Sequence, residues 1–265
     1  MPEKTTEPGR KPARKSKPEV VEQIPLSELH PFPDHPFQVR DDDAMQETAE
    51  SIKTYGILVP ALARPREDGG YELIAGHRRK HACELAGLTT MPVIVRDIDR
   101  DAATIIMVDS NLQRENILPS ERAKAYKMKL DAIRRKAGRP AKGEKENLPQ
   151  LAANFRADDE VAKDAGISGD TVRRYIRLTE LSPELQQMVD EKKIAMTPAV
   201  EISYLKPEEQ KMLLTAMDSE QATPSLSQAQ RMKKLSREGG LNDDSMLDIM
   251  MEQKKPEKKR HHPLR

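Results

Sequence analysis

Three arginines, Arg173, Arg174 and Arg177, close a segment that reads Asp158-Asp159-Glu160-Val161-Ala162-Lys163-Asp164-Ala165-Gly166-Ile167-Ser168-Gly169-Asp170-Thr171-Val172-Arg173-Arg174-Tyr175-Ile176-Arg177. A guanidinium group stays charged and presents its donors in a planar fork, which suits phosphate oxygens and the acceptor edge of guanine alike. The residues before it supply a scaffold. Ala162 is small enough for two helices to touch, Gly166 tolerates a turn of positive φ, and Ser168 can cap a second helix. Ile167, Val172 and Ile176 close the apolar side, which leaves Ser168, Gly169, Asp170, Thr171, Arg173, Arg174 and Arg177 on or near the outer face. The pattern predicts a helix-turn-helix over residues 158–177 whose second helix reaches a major groove. The plainer alternative is a helical hairpin whose basic face is only solvated.

A second constellation is Gly76-His77-Arg78-Arg79-Lys80-His81, directly after the strand-like Tyr71-Glu72-Leu73-Ile74-Ala75. A strand, a glycine and a basic helix start bring free backbone N–H groups and fixed positive charge together, which favours an anion. A basic helix start exposed to water is the bland alternative. His77 and His81 stand four apart like a zinc pair, but Arg78 occupies the place of a general-base Glu and no third ligand is near, so metal binding there is not expected. Cys83, the only cysteine, sits among Ala82, Leu85 and Ala86 and reads as a small buried hydrophobe.

These residues need elements to hold them. The chain has 265 residues, 36% hydrophobic, 34% charged and 3% aromatic, which suits two modest domains built from small units. The formal net charge of +1 hides its distribution. Residues 121–145 carry ten basic and three acidic side chains, and both ends are basic, a clustering that a partner bearing many phosphates would explain and for which a solvated helix face is the bland alternative. A lone cysteine excludes an intrachain disulfide and fits a reducing compartment; the first residues lack an apolar leader and no stretch approaches a membrane span, so the expected location is cytoplasmic.

Residues 1–19 hold four prolines among charges and read as a disordered basic tail. Residues 20–100 mix strand and helix signals: a segment at 24–29, a helical pattern through Met45, Ala49, Ile52 and Tyr55, an apolar run at 57–63, a turn at Glu67-Asp68-Gly69-Gly70, a helix from about His77 to Ala86, and a strand at 92–95. From Ala102 onward the signals are helical. Ile105, Ile106, Val108 and Leu112 share one face, a long helix runs from Pro119-Ser120 to about Ala137, and residues 138–149 read as a linker. Later helix starts are marked by Asp158, Ser182-Pro183, Thr197-Pro198, Lys206-Pro207 and Ser225. The helical DNA-binding domain spans 101–218, helices that pack on the body or across a dimer span 219–252, and 253–265 is a basic tail. The scattered methionines read as core or interface filler.

Over roughly residues 20–218 the sequence resembles the ParB partition-protein family. Gly56-Ile57-Leu58-Val59-Pro60 is similar to its first nucleotide-binding motif, Gly76-His77-Arg78-Arg79 resembles its GERR motif, and Ser110-Asn111-Leu112-Gln113-Arg114-Glu115-Asn116 resembles its ENLQRE motif, with the helix-turn-helix following in order. The resemblance implies an α+β fold: a small ParB/sulfiredoxin-like α/β N-terminal domain, then an all-α helix-turn-helix domain and a helical C-terminal segment. It also implies a nucleoid-associated homodimeric clamp that binds CTP and Mg²⁺, recognises a palindromic double-stranded DNA site and works with a ParA-type ATPase. Carried onto this chain, Gly56, Gly76, His77, Arg78, Arg79, Asn111 and Arg114 bind the nucleotide, with Asn111 near the metal. Val59 stands where the family usually has Gln, His77 where it has Glu, and Ser110 where a Glu is associated with hydrolysis, so at most weak CTP turnover is expected. The same N-terminal fold resembles sulfiredoxin, but Gly76 replaces that enzyme's reactive cysteine. A promoter-binding regulator with the same chemistry is the first alternative. A nuclease or nucleotide-dependent enzyme is the second, and it would need a carboxylate set that beyond Asp109 and Glu115 is not evident.

Overall fold

A computed structural model describes residues 20–114, 116–136 and 148–252, and for 148–156 the backbone alone. The two basic tails, the body of the linker and Glu115 lie outside the described residues. Contacts divide the chain into two compact units, Met1–Pro31 with Asp41–Asp97, and Phe32–Arg40 with Ile98–Arg265.

In the first unit, strands β1 (Val21–Pro25), β2 (Leu29–Pro31), β3 (Ala61–Pro65), β4 (Tyr71–Ala75) and β5 (Thr90–Val95) form one sheet of order β1-β5-β3-β4-β2. β1 runs antiparallel to β5, with Val21 opposite Ile94, while β3 lies parallel to β5 and antiparallel to β4. The turn expected at Glu67–Gly70 closes the β3–β4 hairpin, with Arg66 N–H donating to Gly70 O at 3.1 Å. Along β3, Ala61 and Ala63 are fully buried while Leu62 and Arg64 are not, the period-2 alternation of a strand with one covered face. Helix α1 (Asp43–Tyr55) is capped by Asp42, which accepts from Met45 N–H at 2.9 Å, and buries Met45, Ala49 and Ile52. Together with Ala82 and Cys83 of helix α2 (His77–Leu85) these pack on Leu73, Met91 and Val93. Cys83 is wholly buried, and burial pushes its thiol pKa up, so it behaves as a small apolar side chain.

One expectation fails here. The apolar run at 57–63 becomes strand only from Ala61, and Leu58 and Val59 are 83% and 62% exposed. Pro60 has no N–H to give a ladder, and the carbonyls of Val59 and Pro60 are taken by Arg79.

The second unit is helical: α3 (Arg100–Leu112), α4 (Pro119–Lys136), α5 (Leu148–Ala165), α6 (Gly169–Arg177), α7 (Pro183–Asp190), α8 (Met196–Ile202), α9 (Pro207–Glu220), α10 (Leu226–Glu238) and α11 (Asp243–Met251). α3 packs Val108, Ile105 and Leu112 of its expected apolar face, and it also buries Thr104, Met107 and Asn111. Its two polar members bond to carbonyls of their own helix, Thr104 Oγ1 to Arg100 O at 2.8 Å and Asn111 Nδ2 to Met107 O at 2.8 Å, and so enter an apolar layer. Asp158 does not start a helix. It lies inside the eighteen residues of α5, and its carboxylate bonds to side chains of other helices instead of capping its own. A large core joins α7 to α11 through Leu185, Ile202, Leu213, Met232, Met246 and Ile249, so the apolar faces of α10 and α11 are spent within the unit. Among the described residues no helix is long and apolar enough to cross a membrane.

Candidate nucleic-acid interface and nucleotide-binding residues

α5 and α6 meet across a three-residue turn at 166–168. Gly166 holds φ +67°, and a Cβ there would meet nothing within 4 Å, so the backbone angle alone demands glycine. Ile167 N–H donates back to Ala162 O at 2.9 Å, and Ser168 Oγ caps α6 by accepting from Thr171 N–H at 3.2 Å. Val161, Ala162 and Val172, all but unexposed, pack with Tyr126, Leu130 and Ile133 of α4. Two helices, α4 and α5, therefore fix the direction of α6. At its first turn a Cβ on Gly169 would meet Asp159 Oδ1 at 2.7 Å, which keeps the start of α6 tight against α5.

The arginines are less free than their spacing suggests. Arg173 bonds to Asp170 and donates to Asp158 Oδ2 at 3.2 Å; the Asp170 contact, then Asp158, raises its pKa further. Asp158 is only 5% exposed and also faces Arg134 of α4 at 3.4 Å. Arg177 turns toward the protein body, donating to Ser203 O at 2.6 Å and to Ser203 Oγ at 3.2 Å, with its guanidinium carbon 4.2 Å from the centroid of the Tyr204 ring. Arg174 is exposed and donates to Thr197 Oγ1 at 2.9 Å. The expectation that all three point outward is corrected: a partly covered guanidinium takes the acceptors in reach, and Asp158 and Ser203 are in reach. Thr171 and Arg174 remain the side chains of α6 placed to meet a groove.

Beneath this surface lies Lys129 of α4. Its side chain is 1% exposed, and its ammonium bonds Asp109 of α3 at 2.5 Å and Asp164 of α5 at 2.7 Å. A buried ammonium is tolerated only when so paired.

In the first unit, Gly76 caps α2 at φ +113°, and a Cβ would approach Ala61 Cβ to 2.9 Å, so no side chain fits. No side chain caps the helix, and its first-turn amides belong to the half-buried His77, Arg78 and Arg79. Arg78 faces Asp42 at 3.6 Å. Arg79 donates to Val59 O and, at 2.7 Å, to Pro60 O, tying the exposed loop that follows Gly56 to the helix start; burial lowers its pKa. Gly56 ends α1, its N–H donating to Ile52 O at 2.9 Å. His81 bonds to Asp41 at 2.5 Å with Glu84 beside it, and these carboxylates hold it above the usual histidine range. In the second unit, Asn111 is 3% exposed and its Oδ1 is buried without a hydrogen-bond partner among the described residues. Arg114, exposed, follows the end of α3, its N–H donating to Asn111 O at 3.0 Å. Among the described residues no three His, Cys, Asp or Glu gather as a metal site.

The ParB N-terminal domain family matches residues 10–112 and the ParB HTH domain family matches residues 144–238. This chain belongs to the ParB family. The chromosome-partitioning protein Spo0J of Thermus thermophilus is 34% identical over 190 residues, 71% of this chain and 62% of that protein. Stage 0 sporulation protein J of Bacillus subtilis is 34% identical over 178 residues, 67% of this chain and 55% of its own length. The matches thus span about three fifths of these relatives. A solved Pnob8-like ParB N-domain, 16% identical, covers 88% of this chain and 98% of that one at a TM-score of 0.51, a likeness of fold.

Within this ParB chain, sequence reasoning missed the residues that hold the arginines. In sequence Asp158 reads as a helix start, and Thr197, Ser203 and Tyr204 lie 20 or more residues from α6 with no local periodicity to link them. Lys129 reads in sequence as one more member of the basic run of α4. A lysine on the same helical face as Tyr126, Leu130 and Ile133 carries the only available signal of burial.

Proposed function

We propose that this ParB chain is a sequence-specific double-stranded DNA-binding partition protein, acting as a homodimer on a palindromic site, associated with the nucleoid and partnered by a ParA-type ATPase. The observation that carries the reading is the α5–turn–α6 arrangement, in which Gly166 and Ser168 set the angle and α4 buttresses the inner face, so that Thr171 and Arg174 stand outward. Two relatives named for chromosome partition or sporulation support the biological setting. Fragments selected by the purified protein from random duplexes should converge on one inverted repeat. Thr171→Ala with Arg174→Ala should weaken that complex by about 10- to 100-fold, more than it weakens a scrambled duplex. Equal losses on both duplexes would remove the recognition assignment.

The nucleotide reading is CTP with Mg²⁺. In the first unit, the uncapped amides after Gly76 together with His77, Arg78 and Arg79 suit phosphate oxygens, and the Gly56 loop held by Arg79 suits the remainder of the nucleotide. In the second unit taken by itself, Asn111 Oδ1, without a hydrogen-bond partner among the described residues, is a neutral oxygen of the kind Mg²⁺ accepts, and the exposed Arg114 carries positive charge. Bound nucleotide supplies free energy that favours one arrangement of the chain. Turnover is expected to be weak at most, since Ser110 Oγ is spent on Met107 O at 2.9 Å and Asp109 is spent on Lys129. Calorimetric titration with CTP, with and without Mg²⁺, tests the reading, and Gly76→Ala should abolish the signal.

A further inference from the structure

Gln230, Lys233, Lys234 and Arg237 stand on α10 at spacings of three, four and seven, which places them on one helical face. They line a groove of about 670 Å³ together with Glu201 of α8 and Glu238. Lys234 and Arg237 are exposed, and Arg237 forms no ion pair among the described residues. Lys234 meets Glu238 at 4.0 Å, an exposed i,i+4 pair worth only a few tenths of a kcal/mol that a phosphate readily displaces.

The stripe is joined to the recognition helix through one ring. The Lys233 ammonium lies 3.7 Å from the Tyr204 centroid and the Arg177 guanidinium 4.2 Å from it, so the two cations are about 8 Å apart at most. Lys233 is anchored further by Glu201 at 2.7 Å, which fixes α10 against α8. Arg237 follows Lys233 by one helical turn, a rise of about 6 Å, close to the spacing of successive phosphates along a strand. Basic side chains therefore extend from the C-terminal end of α6 across Tyr204 and onto α10, interleaved with Glu201, which pairs with Lys233, and with Glu238.

We infer that the α10 face of Lys234 and Arg237 is a second DNA contact, taking backbone phosphates that flank the site read by α6. The partner is the same duplex, and the contact is one of charge, so it carries affinity and register but no sequence preference. This inference rests on the DNA-binding reading above. Its test compares the full chain with a Lys234→Gln, Arg237→Gln variant and a charge-reversed Lys234→Glu, Arg237→Glu variant, on the selected site and on a scrambled duplex, over a range of salt. Removing two phosphate contacts should flatten the slope of log affinity against log salt by about 1.8, so a fourfold rise in salt narrows the gap to wild type about ten-fold. The ratio of specific to scrambled binding should stay unchanged, and the charge-reversed variant should bind more weakly than the neutral one. A wild-type slope in both variants, with wild-type binding intact, would overturn the inference alone. Absence of duplex binding by the wild type would overturn the DNA reading and this contact together.

Discussion

A carboxylate shared by two guanidinium groups, as Asp158 is by Arg134 and Arg173, acts on each through the other. Asp158 is nearly buried while both arginines are about 40% exposed, so solvent screens part of the interaction and Asp158→Ala should lower stability by only about 1–2 kcal/mol, read from urea melts. The same variant releases Arg173 from one of its two carboxylates and should change DNA binding less than Arg174→Ala does, whereas Asp158→Asn should retain part of the stability. His81 offers a pH test in the first unit. Its folded pKa lies above 6.5, so the contact with Asp41 and Glu84 stabilises fully below that value and fades as pH rises through the folded pKa. His81→Gln should remove that decline in melts taken on either side of neutrality; an unchanged profile would assign it to other groups. Residue types were legible where the chain punctuates itself. Gly76, Gly166 and Ser168 each do what their chemistry suggests. Residue partners were not, because acceptors such as Ser203 arrive through tertiary folding.

At the scale of elements, the turn at 166–168 and the pairing beneath it carry the geometry. Gly166→Ala puts a Cβ at φ +67° in otherwise open space, so the loss should be backbone strain of about 1–2 kcal/mol with the fold kept. A far larger loss would point to contacts that the open space does not suggest. Lys129 ties α3, α4 and α5, and breaking such a pair typically costs about 3–5 kcal/mol. Asp109 and Asp164 are 41% and 49% exposed and can rehydrate, so Lys129→Met should fall at or below the lower end of that range by thermal melting. Sequence periodicity located α1, the β3–β4 turn and most helix starts marked by Ser or Pro, because these signals are local. It misplaced the start of α5, where an acidic run outweighed contacts made across the chain, and it missed that α3 also buries Thr104, Met107 and Asn111 beside its aliphatic face.

The whole chain pairs a mixed sheet unit with a helical unit whose core reaches from α7 to α11. Its near-zero net charge averages over exposed cations such as Arg174, Lys234 and Arg237, so binding to a polyanion should depend on salt although the protein as a whole is close to neutral. The order of three motifs along the chain made the family legible before any coordinates. The use of α10's apolar face is open in sequence; Ala229, Met232 and Leu235 pack within the unit, while Leu226 stays 38% exposed. The most direct measurement of the central claim is the affinity of the wild type and of the Arg174→Ala protein for the selected inverted repeat and for the same duplex with its half-site bases exchanged. The account predicts strong preference for the intact repeat in the wild type and loss of most of that preference in the variant. Equal affinity for both duplexes in the wild type would contradict it.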